Sequence, residues 1–230
     1  MSQVKLLSFD LDDTLWPCNP TILSAENAIY EFLKTNTPDI TRRYSIIQLR
    51  EKRLDFLKQH PELSHDLTAL RLHSLKALAT EFEIDDEWVD DAFQVFYDAR
   101  QKVTLFDDVA GALDTLQGHF RLVAVSNGNA SIEKTGVGHW FEFSVSAADV
   151  GFMKPHPAVF ETVMEKSDCS IDEVIHIGDD YNDVLGATQA GIRSVWLNRS
   201  DKEWLYQDCV ADFNIRSLIE LPALLAELKP

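Results

Sequence analysis

Four short groups of polar residues could carry chemistry in this 230-residue chain. Asp10-Leu11-Asp12-Asp13-Thr14-Leu15 puts three acids within four positions, directly after an apolar run. Later come Ser126-Asn127-Gly128, then Lys154-Pro155, then Gly178-Asp179-Asp180-Tyr181-Asn182-Asp183. Carboxylates crowded in this way repel one another unless a proton or a cation offsets them. Hard oxygen donors suit Mg2+, which takes one or two carboxylates and fills its octahedron with waters and phosphate oxygens. Asp179 and Asp183 are four apart and face the same way if a helical turn starts there, so they could complete such a site.

With a divalent ion in place, the spacing of Asp10 and Asp12 permits a division of labour in phosphoryl transfer. Asp10 can attack phosphorus and become an aspartyl-phosphate. Asp12 can give a proton to the leaving oxygen and later take one from water. The moving phosphoryl group also needs fixed donors and positive charge, because its transfer depends on positioning and electrostatics. Ser126, the backbone at Asn127 and Lys154 have that chemistry.

These groups need a frame that brings them together. Val4-Lys5-Leu6-Leu7-Ser8-Phe9 is an apolar run ending at Asp10, the pattern of a buried parallel strand. Arg121 to Val125 leads likewise to Ser126, Glu173 to Ile177 leads to Gly178, and Arg193 to Leu197 leads to Asn198. Helical patterns lie between them, at Asp107 to Leu116, Pro157 to Glu165 and Val184 to Ala190. This alternation predicts an α/β fold, a Rossmann-like parallel sheet with helices on both faces. Ligands of such sheets bind beyond the carboxyl ends of the strands, where all four polar groups fall.

Residues 17–100 read differently. Asn19-Pro20 suggests a cap with proline at the first helical position. Ile22, Ala25, Ile29, Phe32 and Leu33 then recur at helical spacing, and three more amphipathic helices are expected near 41–59, 65–83 and 86–100, one with the stripe Leu67, Leu70, Leu75, Leu78 and Phe82. The expected division is an α/β core of residues 1–16 and 101–230 with an inserted helical domain, residues 17–100.

The balance of 21 Lys plus Arg against 38 Asp plus Glu gives a formal charge of −17. Phosphate-neutralising surfaces need clustered bases, and Thr41-Arg42-Arg43 is the nearest approach to a basic run, so neither nucleic acid nor an anionic membrane is an expected partner. Residues 16–100 hold 10 basic and 15 acidic side chains, which leaves most of the acid excess on the α/β part. No stretch reaches the ~20 apolar residues of a membrane span, and the amino-terminal run meets Asp10 before a signal-peptide core could form. Cys18, Cys169 and Cys209 show no CxxC spacing and suit a reducing compartment. A cytoplasmic protein, monomer or homodimer, is expected.

The four groups, in this order, resemble the four motifs of the haloacid dehalogenase superfamily, and the inserted helices resemble its helical cap. The resemblance implies Asp10 as nucleophile and Asp12 as acid and base. It further implies Mg2+ held by Asp10, Asp179, Asp183 and the backbone carbonyl of Asp12, with Ser126 on a phosphoryl oxygen and Lys154 balancing charge. Many members have Gly where this chain has Asp13 and a small hydroxyl residue where it has Asp180, so neither acid receives a catalytic role. Dehalogenating members usually lack an acid two residues after the nucleophile, and Asp12 therefore favours a phosphatase.

Asn19-Pro20-Thr21-Ile22, His65-Asp66-Leu67-Thr68 with Arg71, Ser126 to Ala130 and His176 to Asp180 are similar to bacterial members that act on 5-amino-6-(5-phospho-D-ribitylamino)uracil in riboflavin biosynthesis and on flavin mononucleotide. A small phosphorylated metabolite is the implied partner. His65, Asp66, Thr68 and Arg71 form a cluster able to hydrogen-bond a polyol or pyrimidine; in the plainer reading Asp66 caps a helix and His65 and Arg71 lie on the surface. Trp16 could stack on a ring or pack beside the nucleophile loop, and His156 and His176 read as loop and strand residues. The alternatives are a pyrimidine nucleotide or sugar monophosphatase of the same superfamily and, outside it, a non-catalytic phosphoacceptor or binding module.

Overall fold

The computed structural model describes residues 3–228. In chain order the regular elements are β1 (Leu6–Phe9), α1 (Cys18–Asn36), α2 (Pro38–Arg43), α3 (Ile46–Gln59), α4 (Leu67–Glu81), α5 (Val89–Arg100), α6 (Val109–Gln117), β2 (Arg121–Ser126), β3 (Phe143–Ser146), α7 (Ala147–Val150), α8 (Ala158–Ser167), β4 (Val174–Gly178), α9 (Tyr181–Ala190), β5 (Arg193–Leu197), β6 (Phe213–Ile215) and α10 (Leu221–Glu227). They form two compact units, one made of the chain up to Pro17 together with the chain from Thr104 onward, the other of Cys18–Val103. Among the described residues no helix is long and apolar enough to cross a membrane.

The first unit is a six-stranded sheet in the order β3-β2-β1-β4-β5-β6, parallel throughout. All four residues of β1 are buried, as a central strand covered on both sides requires. Phe9 lies opposite Ala124 on β2 and Ile177 on β4, so Asp10 and Gly178 fall at the same level, with Ser126 one residue further along β2. The strand order reverses between β1 and β4, and a crevice opens beyond the strand ends at such a point. Leu6, Val123, Val125 and Val145 share a core with Val159, Phe160 and Val163 of α8 and Ala187 of α9.

Two strands have no counterpart in the sequence reading. β3 and β6 are the sheet edges, four and three residues long and only partly buried, too short and mixed to show a continuous apolar run.

The second unit is helical. Ala25, Ile29 and Leu33 of α1, Leu75 and Leu78 of α4, and Val89, Ala92 and Phe96 of α5 share its core. α1 starts at Cys18, so Pro20 sits within the first turn, where its missing N–H removes no helical bond. The single helix expected at 41–59 is two helices: Ser45 accepts from Gln48 N while the Gln48 side chain accepts from Ser45 N, a capping box that starts α3 afresh. The unit therefore contains five α-helices and not four.

Candidate active site

Asp10 follows β1 directly, and its backbone N–H donates to the carbonyl of Ile177 at 2.9 Å, which fixes the first acid against the end of β4. Lys154 Nζ lies between two carboxylates, 2.5 Å from Asp10 Oδ1 and 2.6 Å from Asp183 Oδ1, and also donates to the Val125 carbonyl at 3.2 Å. The backbone of this lysine is clamped by one side chain. Asn127 Oδ1 accepts from Lys154 N at 2.7 Å, and Asn127 Nδ2 donates to Lys154 O at 3.0 Å. Asp10, Lys154 and Asp183 are all buried.

One carboxylate oxygen each from Asp10, Asp179 and Asp183 lie within 4.8 Å of one another. Thr14 Oγ1 donates to Asp179 Oδ1 at 3.0 Å and orients it. Asp183 is held more firmly still, because its Oδ1 meets His176 Nε2 at 3.0 Å and its Oδ2 accepts from Asp180 N at 3.2 Å. A methyl group at Gly178 would collide with the Asp183 carboxylate, so the turn after β4 needs glycine there.

The electrostatics explain what this geometry lacks. Burial raises the Asp10 carboxyl well above its ordinary range; Lys154 opposes the shift, and Asp183 and Asp179 add to it. Asp179 is pushed up to about 7, first by burial and then by the charge of Asp183. Burial also disfavours the Asp183 anion, yet Lys154 and His176 overcome that and hold its carboxyl below the usual range. Lys154 is raised in turn, its burial outweighed by Asp10 and Asp183. Three carboxylates thus crowd together with one ammonium bound to two of them, and Asp10 and Asp179 are strained in their charged form. An oxygen-ligating divalent cation fits this donor set and would relieve the strain.

Asp12 Oδ1 accepts from the indole Nε1 of the fully buried Trp16 at 2.9 Å. Ser126 is buried at the end of β2, and its Oγ accepts from Gly128 N at 2.9 Å. A polar pocket of about 170 Å³ is lined by Asp10, Asp12, Ser126, Asn127, Lys154, Asp179 and Asp183, which brings together every residue expected from the four motifs.

Two of the four candidate residues on the helices have partners of their own. Asp66 caps α4, its Oδ1 accepting from Thr68 N at 3.0 Å and Ala69 N at 2.9 Å. Arg71 is buried and turned onto Glu26, with Nη2 to Oε1 at 2.8 Å. His65 and Thr68 are half-buried near the start of the same helix.

The family model described as "Hydrolase: haloacid dehalogenase-like hydrolase" matches residues 4–191, from β1 to the end of α9. The chain belongs to the haloacid dehalogenase-like hydrolase family. It is 30% identical over 202 residues to the 5-amino-6-(5-phospho-D-ribitylamino)uracil phosphatase YigB of Escherichia coli (strain K12), covering 86% of this chain and 84% of that protein. It is 26% identical over 238 residues to a glyceraldehyde 3-phosphate phosphatase of Methanopyrus kandleri, covering 98% of both. The crystal structure of a 2-haloacid dehalogenase from Pseudomonas syringae pv. Tomato DC3000 superposes with a TM-score of 0.92 at 33% identity, covering 99% of this chain and 100% of that one.

Membership in the haloacid dehalogenase-like hydrolases gives its two departures a physical reading. Asp13 has φ = 59°, the left-handed region that glycine enters freely and Asp tolerates better than most residues. Asp180 is the N-cap of α9, accepting from Asn182 N at 2.7 Å and Asp183 N at 3.3 Å, a task that a small hydroxyl residue performs equally well. The sequence reading missed Thr14 and His176 as supports of the acid cluster. A histidine inside the apolar run Val174 to Ile177 was the available signal, because a fully buried imidazole must find partners; His176 finds Ser8 Oγ at 2.9 Å and Asp183. Trp16 packs in the interior and holds Asp12.

Proposed function

We propose that this hydrolase is a Mg2+-dependent phosphomonoesterase that works through an aspartyl-phosphate on Asp10. Its proposed substrate is a phosphomonoester on a ribityl chain attached to a heterocycle, 5-amino-6-(5-phospho-D-ribitylamino)uracil, flavin mononucleotide or both. The observation that carries the reaction type is the placement of Lys154 between Asp10 and Asp183, with Asp12 held by Trp16 beside the same pocket. The substrate reading rests on the similarity to the Escherichia coli enzyme.

In the first half-reaction the Asp10 carboxylate attacks phosphorus, the bond to the leaving oxygen breaks, and Asp12 passes its proton to that oxygen. In the second, Asp12 takes a proton from a water that attacks phosphorus, and the Asp10–phosphorus bond breaks to release phosphate. Lys154, Ser126 and the backbone at Asn127 steady the phosphoryl oxygens while charge moves. Bound by Asp10, Asp179, Asp183 and the Asp12 carbonyl, Mg2+ would neutralise charge on the acid cluster and on the phosphoryl group. Asp12 favours this reading over dehalogenation, despite the dehalogenase name of the solved structure at 33% identity. A sugar-phosphate substrate is the second reading, supported by the relative from Methanopyrus kandleri.

Rapid quenching with p-nitrophenyl phosphate tests the covalent step, since its leaving phenolate needs no proton. Asp12→Asn should accumulate phosphorylated Asp10 by mass spectrometry, and Asp10→Asn should show none. Phosphate release by the wild type with no phosphorylated intermediate in either protein would contradict the mechanism. A long-lived phosphorylated Asp10 in the wild type would favour a phosphoacceptor instead, and chloride release from 2-chloropropionate would favour a dehalogenase.

A further inference from the structure

The helical unit contains a cavity of about 360 Å³ bounded by α1, α3 and α4. It opens to solvent past Asp55, Gln59 and Ala77, and its volume lies within the range of small-ligand pockets. The cavity follows from the way α3 is seated. Its inward stripe of Ile46, Leu49, Arg53 and Phe56 is only half-buried, and no residue of this 14-residue helix is fully buried. Opposite stand Ile29 and Leu33 of α1 and Leu75 and Leu78 of α4, all buried in the core of the unit. The walls are therefore mostly aliphatic.

One part of the lining is charged and unbalanced. Glu26 receives two guanidinium groups, Arg53 Nη2 at 2.6 Å and Arg71 Nη2 at 2.8 Å, with side-chain exposures of 5%, 16% and 8% for Glu26, Arg53 and Arg71. Two positive charges share one carboxylate. Among the described residues the Arg53 Nε and Nη1 atoms have no hydrogen-bond partner, which leaves donors beside the cavity. The other charged lining groups are already matched, Lys52 with Glu81 at 2.8 Å and Asp55 with Lys58 at 2.7 Å. Burial, and then the neighbouring Arg53, lowers the Arg71 guanidinium to about 10, the response of a cation with too little compensating charge.

We propose that this cavity is a binding site for a small carboxylate with an aromatic or aliphatic body, the carboxylate accepting from Arg53 beside Glu26 and the apolar body lying between α3 and the Ile29, Leu33, Leu75 and Leu78 wall. A planar guanidinium fork matches a carboxylate, and the aliphatic walls recover the burial that α3 lacks. The site shares no lining residue with the acidic pocket and does not depend on the phosphatase reading.

Titration calorimetry on the full chain, with 3-phenylpropionate as probe and 3-phenylpropan-1-ol as its neutral counterpart, tests the assignment. The acid should bind at one saturable site, and the alcohol about tenfold or more weakly, as expected for losing a charge-assisted hydrogen bond. Arg53→Met should weaken the acid by a similar factor, and Leu49→Trp, which adds an indole to the cavity wall, should abolish binding while circular dichroism keeps its helical signal. Absence of binding to the wild type, equal binding of acid and alcohol, full binding by a folded Leu49→Trp protein, or displacement of the probe by inorganic phosphate would each overturn the proposal.

Discussion

Trp16 donates its indole N–H to Asp12 while buried completely, so the proposed acid and base has one carboxylate oxygen fixed by a side chain that cannot drift. Trp16→Phe keeps an aromatic ring in the site and removes the donor. Losing one hydrogen bond to a charged group should lower kcat by roughly tenfold with KM little changed, alongside the modest fall in unfolding midpoint that a smaller buried ring brings; an unchanged kcat in the folded variant would make the indole a packing residue only. His176 occupies the corresponding place behind Asp183. Partners that orient metal ligands typically carry 10- to 100-fold in affinity, so His176→Gln should raise the Mg2+ concentration for half-maximal activity by about that factor. At this scale the candidate site was legible in the sequence, because Asp10, Asp12, Lys154, Asp179 and Asp183, which line one pocket, stand in short motifs after strand-like runs. Their supports were not. Thr14 reaches Asp179 across 165 positions and His176 reaches Ser8 across 168, and sequence spacing carries no record of such pairs.

Among the elements, α1, α3 and α4 meet at Glu26, which holds Arg53 and Arg71 inside the helical unit. Arg71 also lies 3.3 Å from the centre of the Phe96 ring, which ties α5 to the same point. Removing the shared anion leaves two partly buried cations unpaired, so Glu26→Gln should destabilise this unit by about 3–5 kcal/mol, read as a lower urea midpoint of its helical signal. Burial alone would raise the Glu26 carboxyl, but Arg71 and Arg53 outweigh it and hold it below its ordinary 4.5. A depressed carboxylate stabilises the fold above its unfolded value and loses that contribution as pH falls through its folded value. The difference in urea midpoint between the wild type and Glu26→Gln, which isolates this carboxyl from the other acids, should therefore hold steady above pH 4.5 and shrink below it. The central strands and most helices were legible here, since apolar runs and 3.6-residue periodicity report burial. β3 and β6 escaped because edge strands are short and half-wet, and the division of α2 from α3 turns on one capping box, Ser45 with Gln48, inside a stretch that otherwise keeps helical periodicity.

For the whole molecule, the charge of −17 and the affinity for a phosphate ester are compatible only if the field at the strand ends differs from the total. The cluster of Asp10, Asp179 and Asp183, offset only by Lys154 on two of them, makes that place negative by itself, and a bound divalent cation would reverse it locally. Binding of an anionic substrate should accordingly depend steeply on Mg2+, whereas a long polyanion, which samples the whole surface, should be repelled with or without the metal. The most direct measurement is phosphate release from flavin mononucleotide and the ribitylaminouracil phosphate, beside hexose phosphates, by the wild type with Mg2+, with EDTA, and by Asp10→Asn. The account predicts Mg2+-dependent release that is fastest on the ribityl substrates and is abolished by EDTA and by Asp10→Asn. Release that persists with EDTA or in Asp10→Asn, or no release from any phosphomonoester, would contradict it.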